Sequence, residues 1–303
     1  MERPINSNIR PMRLGEILDG SFNIYRRHFG LFMRLSLILV WLPMAAGIYL
    51  NLRFAKNPFE ALSTVQEHMS ASIGIVLLFL VVAIFCGLLL KAGTIRVISD
   101  SYLGQEPELG SSLRFAVDKI LPLLLVAFSK GLLIVLLLLL SGAGVGLLYF
   151  MGRLAGPGMA GLMIFIGLVA ATWFVVWVLC AYATTTAIIV LEDLPSAFDA
   201  FGRSWELTRA ARLKVFGTAA VAWLIAQFLP QMVVNGINGL VGIAGNDSLQ
   251  PVFVVVASLM GIVLAPILPC ALTLLYYDLR VRREAFDLQV LSEQLGTGMT
   301  ETH

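Results

Sequence analysis

Six stretches of the chain are apolar over long distances: about residues 31–51, 72–90, 121–150, 160–188, 215–234 and 252–277. Crossing the hydrocarbon of a bilayer takes roughly 20 apolar residues in a helix, and a helix satisfies every backbone group where water is absent. Each stretch therefore predicts one transmembrane helix, the third and fourth long enough to tilt or protrude. Between them stand turn-rich segments such as Asn57-Pro58, Gly156-Pro157-Gly158 and Gly245-Asn246-Asp247, which punctuate helices.

A second pattern is shorter and amphipathic. Leu14, Ile17, Leu18, Phe22 and Tyr25 recur at helical spacing opposite Glu16, Asp19 and Arg26, which predicts a helix lying flat at the membrane surface. Related segments run Arg114-Phe115-Ala116-Val117-Asp118-Lys119 and Ser204-Trp205-Glu206-Leu207-Thr208-Arg209, each aromatic, any residue, aliphatic, any residue, basic. Their aromatic residues lie 93 and 90 positions apart, and Cys86, Cys180 and Cys270 follow them by 64, 65 and 65. The expected architecture is an all-α polytopic membrane protein. It has three repeats of one interfacial helix plus two spans, with units at about 11–103, 104–193 and 194–284 and a short tail at 285–303. Phe22, Tyr25, Arg26, Phe115, Lys119, Trp205 and Arg209 are the expected membrane-interface residues, and Ser196 with Asp199 predicts a capping box at the third short helix.

Composition sharpens this reading. Hydrophobic residues make up 58% of the 303 and charged residues 13%, against about a quarter charged in soluble domains, and mean hydropathy is +0.87. A net charge of +2 with no basic patch argues against nucleic acid as a partner. Met1 to Arg13 is polar and proline-containing, so no cleaved leader is expected. Seventeen of the 21 lysines and arginines fall in residues 3–34, 91–119, 203–214 and 280–283, on one side of the predicted topology. Arg53, Lys56 and Arg153 fall on the other. Cytoplasmic loops carry the basic excess, so both termini are expected in the cytoplasm.

Candidate chemistry is sparse. The three cysteines share one position of the repeat and would make a thiolate metal site if the repeats closed around an axis; isolated packing as small hydrophobes is the simpler role, and no cofactor is expected. Lys130 lies inside an apolar run, where a charge costs at least roughly 2.5–3.5 kcal/mol at the bilayer centre. With Gln227 and Gln231 it forms the candidate intramembrane polar site; the alternatives are snorkelling for the lysine and interhelical hydrogen bonds for the glutamines and for Asn235 and Asn238. Pro266 and Pro269 should kink the sixth span, and Gly142 with Gly146 permits close helix approach. Asp100, Glu192, Asp193 and Asp278 stand at the cytoplasmic span ends, where Arg96 or Arg280 can pair with them. The histidines, His28, His68 and His303, form no hydrolytic set with carboxylates.

Leu14-Gly15-Glu16-Ile17-Leu18-Asp19 leading into Tyr25-Arg26-Arg27, then Arg203 to Arg209, then Leu275-Tyr276-Tyr277-Asp278-Leu279-Arg280-Val281-Arg282-Arg283-Glu284 resemble the membrane domain associated with glycerophosphoryl diester phosphodiesterases. Ala210 stands where that family often has glycine. The resemblance implies a bacterial cytoplasmic-membrane protein without the soluble barrel that performs hydrolysis, so phosphodiesterase activity is not implied. The expected function is a non-enzymatic scaffold that recruits a cytoplasmic or membrane protein partner and contacts membrane lipids. The alternative is a carrier or lipid-handling protein.

Overall fold

The computed structural model describes residues 11–56, 69–244 and 250–284, and all regular structure there is helical. In chain order the elements are α1 (Leu14–Arg27), α2 (Phe29–Lys56), α3 (Met69–Tyr102), α4 (Leu109–Asp118), α5 (Ile120–Ala155), α6 (Pro157–Ala181), α7 (Thr185–Leu191), α8 (Asp199–Thr208) and α9 (Arg212–Trp223). A π-helical turn (Leu224–Phe228) leads into α10 (Leu229–Ala244), and α11 (Gln250–Leu264) and α12 (Ile267–Glu284) follow. Six helical runs are long and apolar enough to cross a membrane: Phe29–Ile48, Ile73–Tyr102, Ile120–Ala155, Pro157–Leu191, Arg212–Val233 and Ser258–Glu284. The chain is an all-α polytopic membrane protein. The turn signals at Asn57-Pro58 and Gly245-Asn246-Asp247, the tail at 285–303, and His68 and His303 lie outside the described residues.

The spans depart from simple rods where the sequence compels it. Pro266 has no N–H for the carbonyl of Ile262 and Pro269 none for that of Ala265, so the sixth span breaks and α12 restarts with Cys270 N–H on the Pro266 carbonyl at 3.0 Å. The fifth is interrupted by the π turn, closed by Leu229 N–H on the Leu224 carbonyl. Gly156, at φ +123°, makes the turn between α5 and α6, with Pro157 opening α6. In that hairpin a Cβ on Gly152 would sit 2.7 Å from Ala160 Cα, so the two backbones touch there. The close approach is therefore at Gly152. Gly142 and Gly146, where the spacing predicted it, face open space.

Packing is concentrated at one end, the one that carries the short helices. There α12 is surrounded by α1, α3, α7, α8 and α9, and Leu274, Leu275, Tyr276 and Leu279 are all at most 1% exposed. Over their most apolar windows the first five spans are only 11–28% buried, the sixth 44%.

The short helices share a burial phase. Ser21, Ser112 and Ser204 are each at most 2% exposed. Ser21 and Ser112 donate to the carbonyls of Ile17 and Glu108 one turn back at 2.6 and 2.7 Å, and Ser204 donates to Ala181 at 2.8 Å. This phase aligns Leu113, not Phe115, with Phe22 and Trp205. Asp199 accepts from Ser196 N–H at 3.2 Å as the capping box requires, but the regular helix begins only at Asp199.

Candidate functional site

The charged end is built around three knots of buried and half-buried polar side chains on α12 and its neighbours. In the first, Asp278 has no solvent exposure. It accepts from Met12 N–H at 2.7 Å, from Lys214 Nζ, and from Arg282 Nε at 3.1 and 3.2 Å. Lys214 and Arg282 also donate to the Met12 carbonyl, at 2.6 and 2.8 Å. One carboxylate thus fixes the entry to α1 against α9 and α12, residues separated by more than 200 positions. A buried carboxylate persists only when paired and fully hydrogen-bonded, and this one is.

The second knot joins α8, α12 and the end of α7. Arg203 bonds Glu192 at 3.1 Å and also pairs with Glu284, Arg280 pairs with Glu284 at 3.1 Å, and Tyr276 Oη donates to Glu192 at 2.7 Å. Burial alone would lower the Arg203 guanidinium, but hydrogen bonds to Glu284 and Glu192 raise it above its ordinary value. In the third, Arg96 pairs with Asp100 at 3.1 Å and lies over the Phe115 ring, Ser99 and Tyr277 hydroxyls meet at 2.7 Å, and Tyr277 stacks on Tyr102. Nearby, His28 Nε2 is 3.0 Å from Ser101 Oγ. Burial, then Arg27, hold this imidazole below its usual range. Of the expected pairings Arg96 holds Asp100, whereas Arg280 takes Glu284; Arg282 reaches Asp278 at i,i+4 spacing, and Lys214 and Arg203 are partners that spacing did not supply.

The seven interface residues divide. Phe22, Arg26 and Arg209 are exposed. Tyr25 is buried, and its hydroxyl donates to the Val263 carbonyl beside the Pro266 break. Burial, with a smaller contribution from Cys270, pushes its phenol up to about 12, so it stays a donor. Tyr25 therefore points into the protein, not into lipid. Phe115 packs partly buried against the core, and Lys119 pairs with Asp193 at 2.7 Å. That hydrogen bond and charge hold the exposed Asp193 carboxyl below the usual carboxylate range.

The intramembrane set is not brought together. Lys130 is half-buried on α5 near Lys91 of α3, a like charge, whereas Gln227 and Gln231 point outward from the π turn and α10. Among the described residues no three His, Cys, Asp or Glu side chains gather in metal-binding reach, and the cysteines are free thiols.

Sequence reasoning missed Arg212. Its guanidinium lies 3.5 Å from the ring centroid of Trp177 and 4.3 Å from that of Trp205, so α6 and α8 supply two indoles to one cation at the start of α9. Its Nε and Nη1 are buried and make no hydrogen bond. Guanidinium against indole is favourable, yet among the described residues no acid pairs with the charge. The adjacency of Trp205 and Arg212 in sequence was the available signal; Trp177, 28 positions before Trp205, was not readable.

No family model, curated protein or solved structure matches this chain. The functional reading therefore rests on the geometry above.

Proposed function

We propose that this chain is a non-enzymatic scaffold of the bacterial cytoplasmic membrane, with both termini in the cytoplasm, that recruits a protein partner through the charged end. The observation that carries the reading is the mounting of α1. Ile17, Ser21 and Tyr25 are buried on one face, Met12 is tied to Asp278 just before its start, and Tyr25 reaches Val263 in its last turn. The exposed side of the helix, with Tyr25 and Phe29, lines a groove of about 680 Å³ bearing Asp19, Phe22, Asn23 and Arg26. An aromatic flanked by an acid, an amide and a guanidinium on a rigid helix is the composition of an interface centre. The basic excess of the short-helix side supports the cytoplasmic orientation, and the recurring order of one short and two long helices supports the threefold repeat and the resemblance to the phosphodiesterase-associated membrane domain.

A photoreactive residue at Asn23, activated in native membranes, is expected to yield one discrete protein adduct that Phe22→Ala and Arg26→Glu abolish. Labelling of lipid alone, or diffuse labelling, would overturn the scaffold reading. A second reading, lipid handling, is favoured by the shallow packing of the spans, which leaves apolar openings between them.

A further inference from the structure

The groove beside Arg212 has the build of a lipid site. It runs along α6 and across to α9, encloses about 860 Å³, and is lined by an aliphatic and aromatic stripe that includes Phe165, Leu168, Thr172, Val176 and Trp177. From Phe165 to Trp177 the helix rises ~18 Å at about 1.5 Å per residue, more than half of a ~30 Å hydrocarbon core. The stripe opens outward: Phe165 is 66% and Trp173 68% exposed. Among the residues lining the groove, Arg212 is the one that carries charge, and no acid joins it. It stands at the first position of the fifth span, against two tryptophans set edge to face, the level at which interfacial aromatics and headgroups meet.

We infer that this groove binds one anionic phospholipid, its acyl chain along α6 and its phosphate on the Arg212 guanidinium. The cation is already oriented: it rests against two indoles that meet each other at 82°, so little rotamer freedom is lost when an anion arrives. Nε and Nη1 are buried without acceptors, and a guanidinium whose charge no acid lining the groove offsets favours an anion in a low-dielectric setting. A lipid phosphate supplies that charge at the right depth while its chain covers apolar surface that the protein leaves open. The inference is independent of the scaffold reading, which concerns α1.

The test is native mass spectrometry of the detergent-purified chain, exchanged into micelles holding equal phosphatidylglycerol and phosphatidylcholine. The wild-type protein is expected to retain one phosphatidylglycerol with a preference of roughly tenfold, because phosphatidylcholine offers the same phosphate together with a choline cation that the Arg212 charge repels. Arg212→Gln should bring the two lipids to parity, and Arg212→Lys should keep part of the preference. Val169→Trp fills the groove and leaves the arginine clamp in place; it should remove the bound lipid of either kind, which keeps the test decisive if Arg212→Gln does not fold. Unchanged phosphatidylglycerol retention in Val169→Trp, or in folded Arg212→Gln, overturns the inference. So does displacement of the lipid by millimolar inorganic phosphate, which would mark a site for a soluble anion, and so does a protein found crosslinked in the groove in its place.

Discussion

The two ends of this molecule are held by different physics. At the charged end, helices from all parts of the chain meet around α12 and bury Asp278, Tyr276 and Tyr277 among paired acids and bases. At the other end, long spans run largely exposed; α5 packs chiefly on its sequence neighbour α6, and α11 on α10 and α2. In lipid, apolar side chains gain little by leaving the surroundings for one another, so spans with only apolar surface have small reason to converge. Polar groups have no such freedom, because a carboxylate in a dry place needs its partners. The short helices supply those partners, and the fold is gathered where the charges are.

The comparison breaks first at Asp278. Asp278→Asn removes the carboxylate and leaves Lys214 and Arg282 facing each other, with side chains 18% and 42% exposed. Breaking a buried pair costs ~3–5 kcal/mol, and the access of Arg282 to water puts the expectation near ~3 kcal/mol. Unfolding in bicelles by denaturant should show it, together with new protease cleavage near Met12 as the entry to α1 is released. A loss below about 1 kcal/mol would mean that the knot orders the chain without stabilising it.

A smaller effect is expected at the apolar end, where Gly152 brings two backbones together. In Gly152→Val the new Cβ would sit 2.7 Å from Ala160 Cα and 3.0 Å from the Met159 carbonyl, and neither can move aside as a side-chain tip can. Overpacking of this kind costs ~1–3 kcal/mol. Gly142→Val and Gly146→Val, facing open space, should fall within about ±0.5 kcal/mol. If the pair at 142 and 146 proved as sensitive as 152, the open face would be one that another helix covers in the membrane.

How much of this was legible in the sequence follows the same division. The spans, the short helices and the break at Pro266 were readable, because hydrophobic length, 3.6-residue periodicity and the missing proline N–H act locally. The direction in which an amphipathic helix turns its apolar face is not local. Tyr25 was assigned to lipid and lies on Val263, since periodicity states that a face is apolar and not what covers it. Lys214 and Arg282 were counted as topology signals; Arg282 lies one helical turn from Asp278, but the arrival of Lys214 and Met12 there depends on long-range packing. Arg212 was hidden in the same way among basic loop residues. The aromatic pattern set Phe115 beside Phe22 and Trp205, whereas the buried serines Ser21, Ser112 and Ser204 put Leu113 at that phase.

The smallest expected effect lies at the rim of the charged end, where water weakens every charge. Asp193 is almost fully exposed and bonded to Lys119 at 2.7 Å, a link between the start of α5 and the segment after α7. Its carboxyl is held below the usual range by that lysine, so the folded state binds its proton less readily than the unfolded chain does. The stabilisation is therefore complete above the ordinary carboxylate range near 3.8 and fades as pH falls through the lower, folded value. His28 acts in the same sense at higher pH: burial lowers its imidazole from 6.5, so the unfolded chain takes up its proton first and stability declines as pH falls below that value. Thermal unfolding between pH 7 and pH 5 should accordingly show a slight loss that His28→Gln removes and Asp193→Asn leaves in place, while below pH 4 the two variants should exchange roles. Raising salt should erase only the Asp193 part, because an exposed pair is screened within about 10 Å at 0.1 M salt. If Asp193→Asn altered stability as much as Asp278→Asn, the rim would share in holding the helices together, and the contrast between buried knots and solvated edge would fail.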